Sequence, residues 1–423
     1  MIYKYPIKRW FTLLIFMFLS IVIQLQWLTH APISRVAEVF YGDQLLAYSF
    51  LSIDSLAVVY MFVFLALCLP ASYFIDTYGI RKGIGLGAIL TIIGVLIKGL
   101  AGHSFITVFI GQAILAAAQP FILNGVTAFS VRWFPINERA IVAGLLALAQ
   151  YIGILLAMLI TPMLVGSVLG EDNYGTGIDK MLLIYMIPTI IAAVLLLLFL
   201  QEKPKDLPHE VDNERLNFRK GILHMLKLKD AILILIIFTI GLGIFNAVSS
   251  LVDSISANLN IKDSDGLIGG LMIIGGIIGA IIIPILSDYF LKRKLFLVLC
   301  LALTAPALAG LAYAVEISSF LELNSSQTYN FVLASSFLLG LSIMSAGPIG
   351  FQYTAEITSP TPESTSQGIL LLVGQISGIA MVTLMSINNN EYLDLMMKVF
   401  VPLSVVAFIL ILFTKESKVI SNQ

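Results

Sequence analysis

Twelve stretches of about 20 mostly apolar residues follow one another along this chain, separated by short polar connections. They run at roughly 10–37, 51–75, 83–101, 105–129, 139–166, 181–200, 231–256, 265–287, 295–315, 328–351, 366–387 and 395–414. A run of that length satisfies its own backbone as a helix and meets hydrocarbon with its side chains. The expected fold is therefore an all-α membrane protein. Only 12% of the residues are charged and 59% are apolar, against roughly 25% charged in soluble domains. So few charges cannot solvate a chain this long, and most of its surface must face lipid. The net charge of −1 excludes a basic nucleic-acid footprint.

An even number of spans puts both termini on one side of the bilayer. Nineteen of the 24 Lys and Arg residues fall at the N-terminus, in the even-numbered loops or beyond the last span. The positive-inside bias places that side in the cytoplasm. The other five cations are Arg35, Lys98, Lys180, Lys262 and Lys398. Lys4, Lys8 and Arg9 ahead of the first run imitate a signal peptide, but the run exceeds the usual h-region and has no small-residue cleavage site. It is read as a retained helix in a multi-pass protein of the plasma (cell inner) membrane.

Two sets of landmarks recur half a chain apart. Asp76, Arg81 and Lys82 return as Asp288, Arg293 and Lys294, all displaced by 212. Pro135, Glu138, Gln150 and Gly153 return as Pro360, Glu363, Gln375 and Gly378, all displaced by 225. Two independent sets with similar displacement indicate a duplicated six-helix unit. The organisation is then an N-terminal bundle over 1–200, a polar linker over 201–230 and a C-terminal bundle over 231–423. Asn217 to Lys229 can form an amphipathic helix on the membrane surface.

A carboxylate ending one helix, a tight turn, then cations opening the next (Asp76 to Lys82) resembles the loop between helices two and three of a major facilitator transporter. That resemblance implies two six-helix bundles related by a pseudo-two-fold axis and alternating access to one shared site. It also implies that Asp76, Arg81, Lys82, Asp288 and Arg293 form charge relays that gate the inner side. Arg132, Glu138 and Arg139 resemble a matching loop of the same superfamily. Helices two and seven meet in that superfamily, so Asp54 and Asp253 are expected to approach and share a proton or cation. The competing reading has Asp54 capping its helix. Gly144, Gly153 and Pro162 in helix five, and Gly266, Gly269, Gly270, Gly275, Gly276 and Gly279 in helix eight, are read as close-packing positions.

Beyond the superfamily, the chain resembles the feline leukaemia virus subgroup C receptor-related family of haem- and choline-linked carriers. The segments carrying this include Gln26-Trp27, Phe40-Tyr41-Gly42, Ile97-Lys98, Gly243-Ile244-Phe245 and Ala355-Glu356-Ile357-Thr358-Ser359-Pro360. The resemblance implies a choline or ethanolamine site with contacts at Trp27, Gln119 and Gln375. The family's second cage aromatic falls on Asn246, a polar Asn falls on Asp253, and a gate carboxylate falls on Glu363. An indole can hold a cation on its π face. Amides within spans need partners, and Gln119, Gln150 and Gln375 either bond a solute or bridge helices.

The expected activity is transport of a small organic cation or amine-bearing metabolite, with proton or cation coupling, by a monomer. The alternatives are a haem or vitamin carrier of the same fold, or a receptor that binds without transporting. Scattered histidines offer no mid-bundle haem ligand and show no metal-ligand spacing. No P-loop occurs and no nucleophile, base and orienter fall together. No enzyme activity, cofactor or metal is therefore expected.

Overall fold

A computed structural model describes residues 8–47, 51–134, 136–168, 171–202, 218–263, 265–290, 292–361, 363–388 and 390–416. The described residues form helices joined by turns, and the chain divides into two compact units, Met1–Val211 and Asp212–Gln423. Among the described residues, twelve helical spans are long and apolar enough to cross a membrane, six in each unit.

The first unit contains α1 (Lys8–Trp27), α2 (Ser34–Ala47), α3 (Ser55–Tyr78), α4 (Ile80–Leu100), α5 (Phe105–Leu123), α6 (Gly125–Trp133), α7 (Ile136–Leu164) and α8 (Ile178–Phe199). Helix α4 crosses α5 where Gly94 and Gly111 meet. A Cβ on Gly94 would lie 2.9 Å from the Gly111 carbonyl oxygen, and one on Gly111 would lie 2.8 Å from that of Gly94. The two backbones therefore touch, which lateral packing without hydrophobic drive requires. The first predicted helix differs from expectation. It stops at Trp27, turns through Leu28–His30, makes a 3-10 turn over Ala31–Ile33 and resumes as α2. Pro32 has no N–H to continue an α-helix.

The second unit contains α9 (Phe218–Met225), α10 (Lys229–Ser250), α11 (Val252–Asn258), α12 (Leu267–Phe290), α13 (Arg293–Ala312), α14 (Ala314–Phe320), α15 (Ser325–Ile357), α16 (Glu363–Ser386) and α17 (Leu393–Leu412). The short α9 lies within the stretch expected to be amphipathic. Asn324 opens α15 with a capping box: its side chain accepts from Gln327 N, and the Gln327 side chain accepts from Asn324 N, each at 2.9 Å. Gly275, Gly276 and Gly279 of α12 pack closely against α15, whereas Gly266 lies just ahead of the helix at φ 66°. A Cβ on Gly275 would overlap the Phe337 carbonyl of α15, and one on Gly279 would overlap Leu341 and Ser345.

Helix α7 is more divided. Gly153 lies against α1, but a Cβ on Gly144 would meet nothing within 4 Å. Gly144 is exposed and is not a close-packing position. Large apolar side chains on both units point outward, among them Phe62, Met163, Leu198, Ile285 and Phe320, which fits a surface solvated by lipid.

Candidate functional site

The break in the first span exposes main-chain carbonyls that a continuous helix would use. Main-chain bonds run from Leu28 N to Gln24 O and from Ala31 N to Leu28 O. The Gln26 and Trp27 carbonyls are left to side chains. Gln112 of α5 donates through Nε2 to Gln26 O, Trp27 O and Leu56 O, each at 3.2 Å. Lys98 of α4 donates through Nζ to Gln26 O at 3.2 Å and to Gln26 Oε1 at 2.9 Å. The Gln26 amide in turn donates to Thr189 Oγ1 of α8 at 3.2 Å. Trp27 thus hangs from a fixed backbone. Its ring is buried, and Nε1 has no hydrogen-bond partner.

One turn before Trp27, Gln24 joins two residues singled out from sequence. Gln119 Nε2 donates to Gln24 Oε1 at 3.3 Å, and Gln24 Nε2 donates to Gln150 Oε1 at 3.2 Å. Gln24 is the missed member of this row. It reaches α7 because Gly153 lets α1 come close: a Cβ there would collide with the Ile21 carbonyl and stand 3.0 Å from Gln24 Cβ. Gln119 and Gln150 therefore bridge helices. An amide row of this kind also presents unused donors and acceptors to a polar solute.

The second unit repeats the arrangement with different residues. Asn246 of α10 is buried and donates through Nδ2 to Gly374 O of α16 at 3.4 Å. A Cβ on Gly378 would lie 2.7 Å from that amide nitrogen. The repeated pair Gly153 and Gly378 thus does the same work, each admitting an amide side chain from the neighbouring helix. Gln375, next to Gly374, keeps a buried Oε1 with no partner.

Of the paired acids, Asp54 stands at the N-cap position of α3, yet its side chain makes no capping bond. Its main-chain oxygen accepts from Ala57 N and Val58 N. Both Asp54 and Asp253 are buried and engage other groups. Within its own unit, Asp253 lies in electrostatic range of Asp263. Asp263 accepts from Leu267 N at 2.9 Å, Ile268 N at 3.1 Å and Tyr329 Oη at 3.1 Å. Burial pushes the Asp263 carboxyl above its ordinary value; those bonds oppose the shift and the Asp253 charge adds to it.

The repeated acid-and-cation turns are built unequally. Arg81 and Lys82 are exposed at the start of α4. Glu202, just beyond α8, accepts from Ile80 N at 3.2 Å and Arg81 N at 3.0 Å and pairs with Arg132. A carboxylate on the first amides of a helix meets both the free N–H groups and the positive end of the dipole. In the second unit Glu416 accepts from Lys294 N at 3.1 Å in the same manner. There, however, Arg293 is buried and pairs with Glu356 of α15 at 3.3 Å. The side chains of Asp76, Asp288, Glu138, Arg139 and Glu363 lie outside the described residues.

His30, read from sequence only as one of four scattered histidines, is buried. It sits in the break, 3% exposed, with neither ring nitrogen partnered. Among the described residues no three His, Cys, Asp or Glu side chains cluster as a metal site.

Two units of six bilayer-length helices, each holding polar side chains on one another inside an apolar shell, define an integral multi-pass membrane protein of the transporter class. The Major Facilitator Superfamily profile matches residues 9–381, and the chain belongs to that superfamily. It is 28% identical over 404 residues to an uncharacterized MFS-type transporter of Caenorhabditis elegans, covering 91% of this chain and 65% of the nematode protein. It is 29% identical over 386 residues to solute carrier family 49 member A3 of Xenopus tropicalis, covering 88% of this chain and 76% of that one. It is 26% identical over 398 residues to the choline/ethanolamine transporter FLVCR2 of Rattus norvegicus, covering 92% and 70%. The fold matches the crystal structure of a D-xylose-proton symporter with a TM-score of 0.67 at 15% identity, over 98% of this chain and 99% of the other. A bacterial homologue of the human lysosomal transporter Spinster gives 0.63 at 14% identity, over 97% and 95%. The chain is thus a major facilitator transporter related to the feline leukaemia virus subgroup C receptor family.

Proposed function

We propose that this transporter carries a small amine-bearing solute of the choline or ethanolamine kind by alternating access, with Trp27 as its main contact. The supporting observation is a buried indole with an unpartnered Nε1 at a break in the first span. Discontinuous helices mark solute sites in carriers, and an indole face attracts a quaternary or primary ammonium. Relatives named as choline/ethanolamine transporters add to this reading. Gln119 and Gln375 supply polar contacts. Asn246, where the resembling family has an aromatic, leaves a site suited to a smaller or more polar amine. Asp54 and Asp253 bind the coupling proton or cation, and the Asp76, Arg81, Lys82, Asp288, Arg293 and Glu363 positions serve as gates. Both termini face the cytoplasm, as the cation bias predicts.

Uptake of labelled choline and ethanolamine into proteoliposomes tests the proposal. Trp27→Ala abolishes uptake while Trp27→Phe retains a part of it. Full uptake by the alanine variant removes the assignment.

A further inference from the structure

Lys98 is 1% exposed inside the first unit. Among the described residues no carboxylate pairs with it, and both its bonds go to neutral oxygens of Gln26. A lysine inside a membrane span ordinarily pairs or lines a pathway. The elements packed on α4 and the break present the following ionisable groups among the described residues. Helix α5, packed along α4, carries no ionisable residue between Phe105 and Leu123. Helix α8 offers Tyr185, whose hydroxyl meets Thr161, with Asp179 and Lys180 at its first turn. Helix α3 offers Tyr60, and the far end of α6 offers Arg132. Tyr41 of α2 bonds Gly102 O, and His30 in the break lies within electrostatic range of Lys98. Lys98 therefore places its amine on Gln26, through one main-chain and one side-chain oxygen, in the turn that carries Trp27.

We infer that Lys98, with Gln112, is the positioning residue of the helix break, and that it links the break to the charge of the solute. A proton on Lys98 and a cation on Trp27 oppose each other, so the site releases the one as it takes up the other. This second half rests on the amine reading above. Two unit charges roughly 10 Å apart at an intermediate protein dielectric change affinity on the order of tenfold. A carrier with this linkage exchanges protons for its solute.

The test has two arms on the full chain in nanodiscs. The first needs no solute. Hydrogen exchange of amides 24–34 speeds up in Lys98→Met and in Gln112→Leu and stays slow in Lys98→Arg, with amides of α13 to α17 unchanged. Unaltered exchange in Lys98→Met overturns the positioning role. The second arm measures choline affinity of the wild type across about pH 6 to 9. Choline keeps its charge throughout, so affinity rises with pH on the order of tenfold if Lys98 is linked. Lys98→Met loses this slope, Lys98→Arg binds weakly at every pH, and His30→Gln keeps the slope. A slope that survives in Lys98→Met, or is absent from the wild type, overturns the linkage. If choline binds at no pH, the amine reading and its linkage fail together, and the exchange arm still decides the role of Lys98 in the break.

Discussion

Replacing Gly153 by alanine is the sharpest test of how α1 is held. The added Cβ would collide with the Ile21 carbonyl oxygen, lie 2.9 Å from the carbonyl carbon and stand 3.0 Å from Gln24 Cβ. Two of these three atoms are backbone, so no side-chain rotation relieves the clash. The helices must separate, at about 1–3 kcal/mol for an overpacked contact. The same step pulls Gln24 away from Gln119 and Gln150. Gly144, nine residues earlier on α7, provides the internal control. Its Cβ meets nothing within 4 Å, and alanine there favours the helix by about 0.5–1 kcal/mol. Gly153→Ala shares that propensity gain, so the two alanines on one helix should differ by the overpacking cost alone, about 1–3 kcal/mol, with Gly144→Ala the more stable. Thermal unfolding of the purified variants reads the difference, and uptake by Gly153→Ala should fall with it. Equal melting of the two variants would refute the account of the contact between α1 and α7.

Other perturbations follow from the same geometry. Gly378→Ala should cost less than Gly153→Ala, because what it meets is the movable Asn246 amide, and melting of the pair decides it. Removing Glu356 as Glu356→Ala takes one carboxylate from Arg293, whose side chain is 10% exposed and still donates to Ser287 Oγ, and should cost about 1–3 kcal/mol in unfolding free energy. Lys398→Ala, at a solvent-exposed pair with Glu316 and Asp394, should leave the melting temperature unchanged. The raised Asp263 carboxyl gives a pH dependence of known sign. Its contribution is full below about pH 4, the unfolded value, and is lost as pH rises through the folded value. Asp263→Asn lacks that titration, so the wild type should lose stability relative to it between these limits in a melting series.

The spans were legible because length and apolarity alone decide that a segment crosses a bilayer. The duplication was legible because Gln150 and Gly153 recur with Gln375 and Gly378, and Gly153 and Gly378 hold matching contacts. What periodicity does not encode is which helix a polar side chain faces. Gln24 and Gln112 look like any amides in a span, and their partners lie 126 and 86 residues away. Lys98 counted as a cation outside the topology pattern and as part of the Ile97-Lys98 resemblance, although a charge amid an apolar run already signals a costly, purposeful placement. The break itself carried a signal, since Pro32 within a long run forbids the next helical bond. Asp253 was matched to Asp54 by analogy, and its nearness to Asp263, ten residues on in the same unit, carried no sequence signal. Gly144 and Gly153 differed in sequence only in that Gly153 recurs, and the nearness of α1 is what separates their packing.

Glu202 closes the first turn of α4 from 121 residues downstream. At ordinary synthesis rates that interval lasts roughly 6–24 s, during which α4 is already made and its leading amides lack their carboxylate. Water, lipid headgroups or the insertion machinery must serve them meanwhile. The first bundle therefore reaches its final form only as the linker emerges, which makes the opening of the linker a timer for the birth of the domain before it.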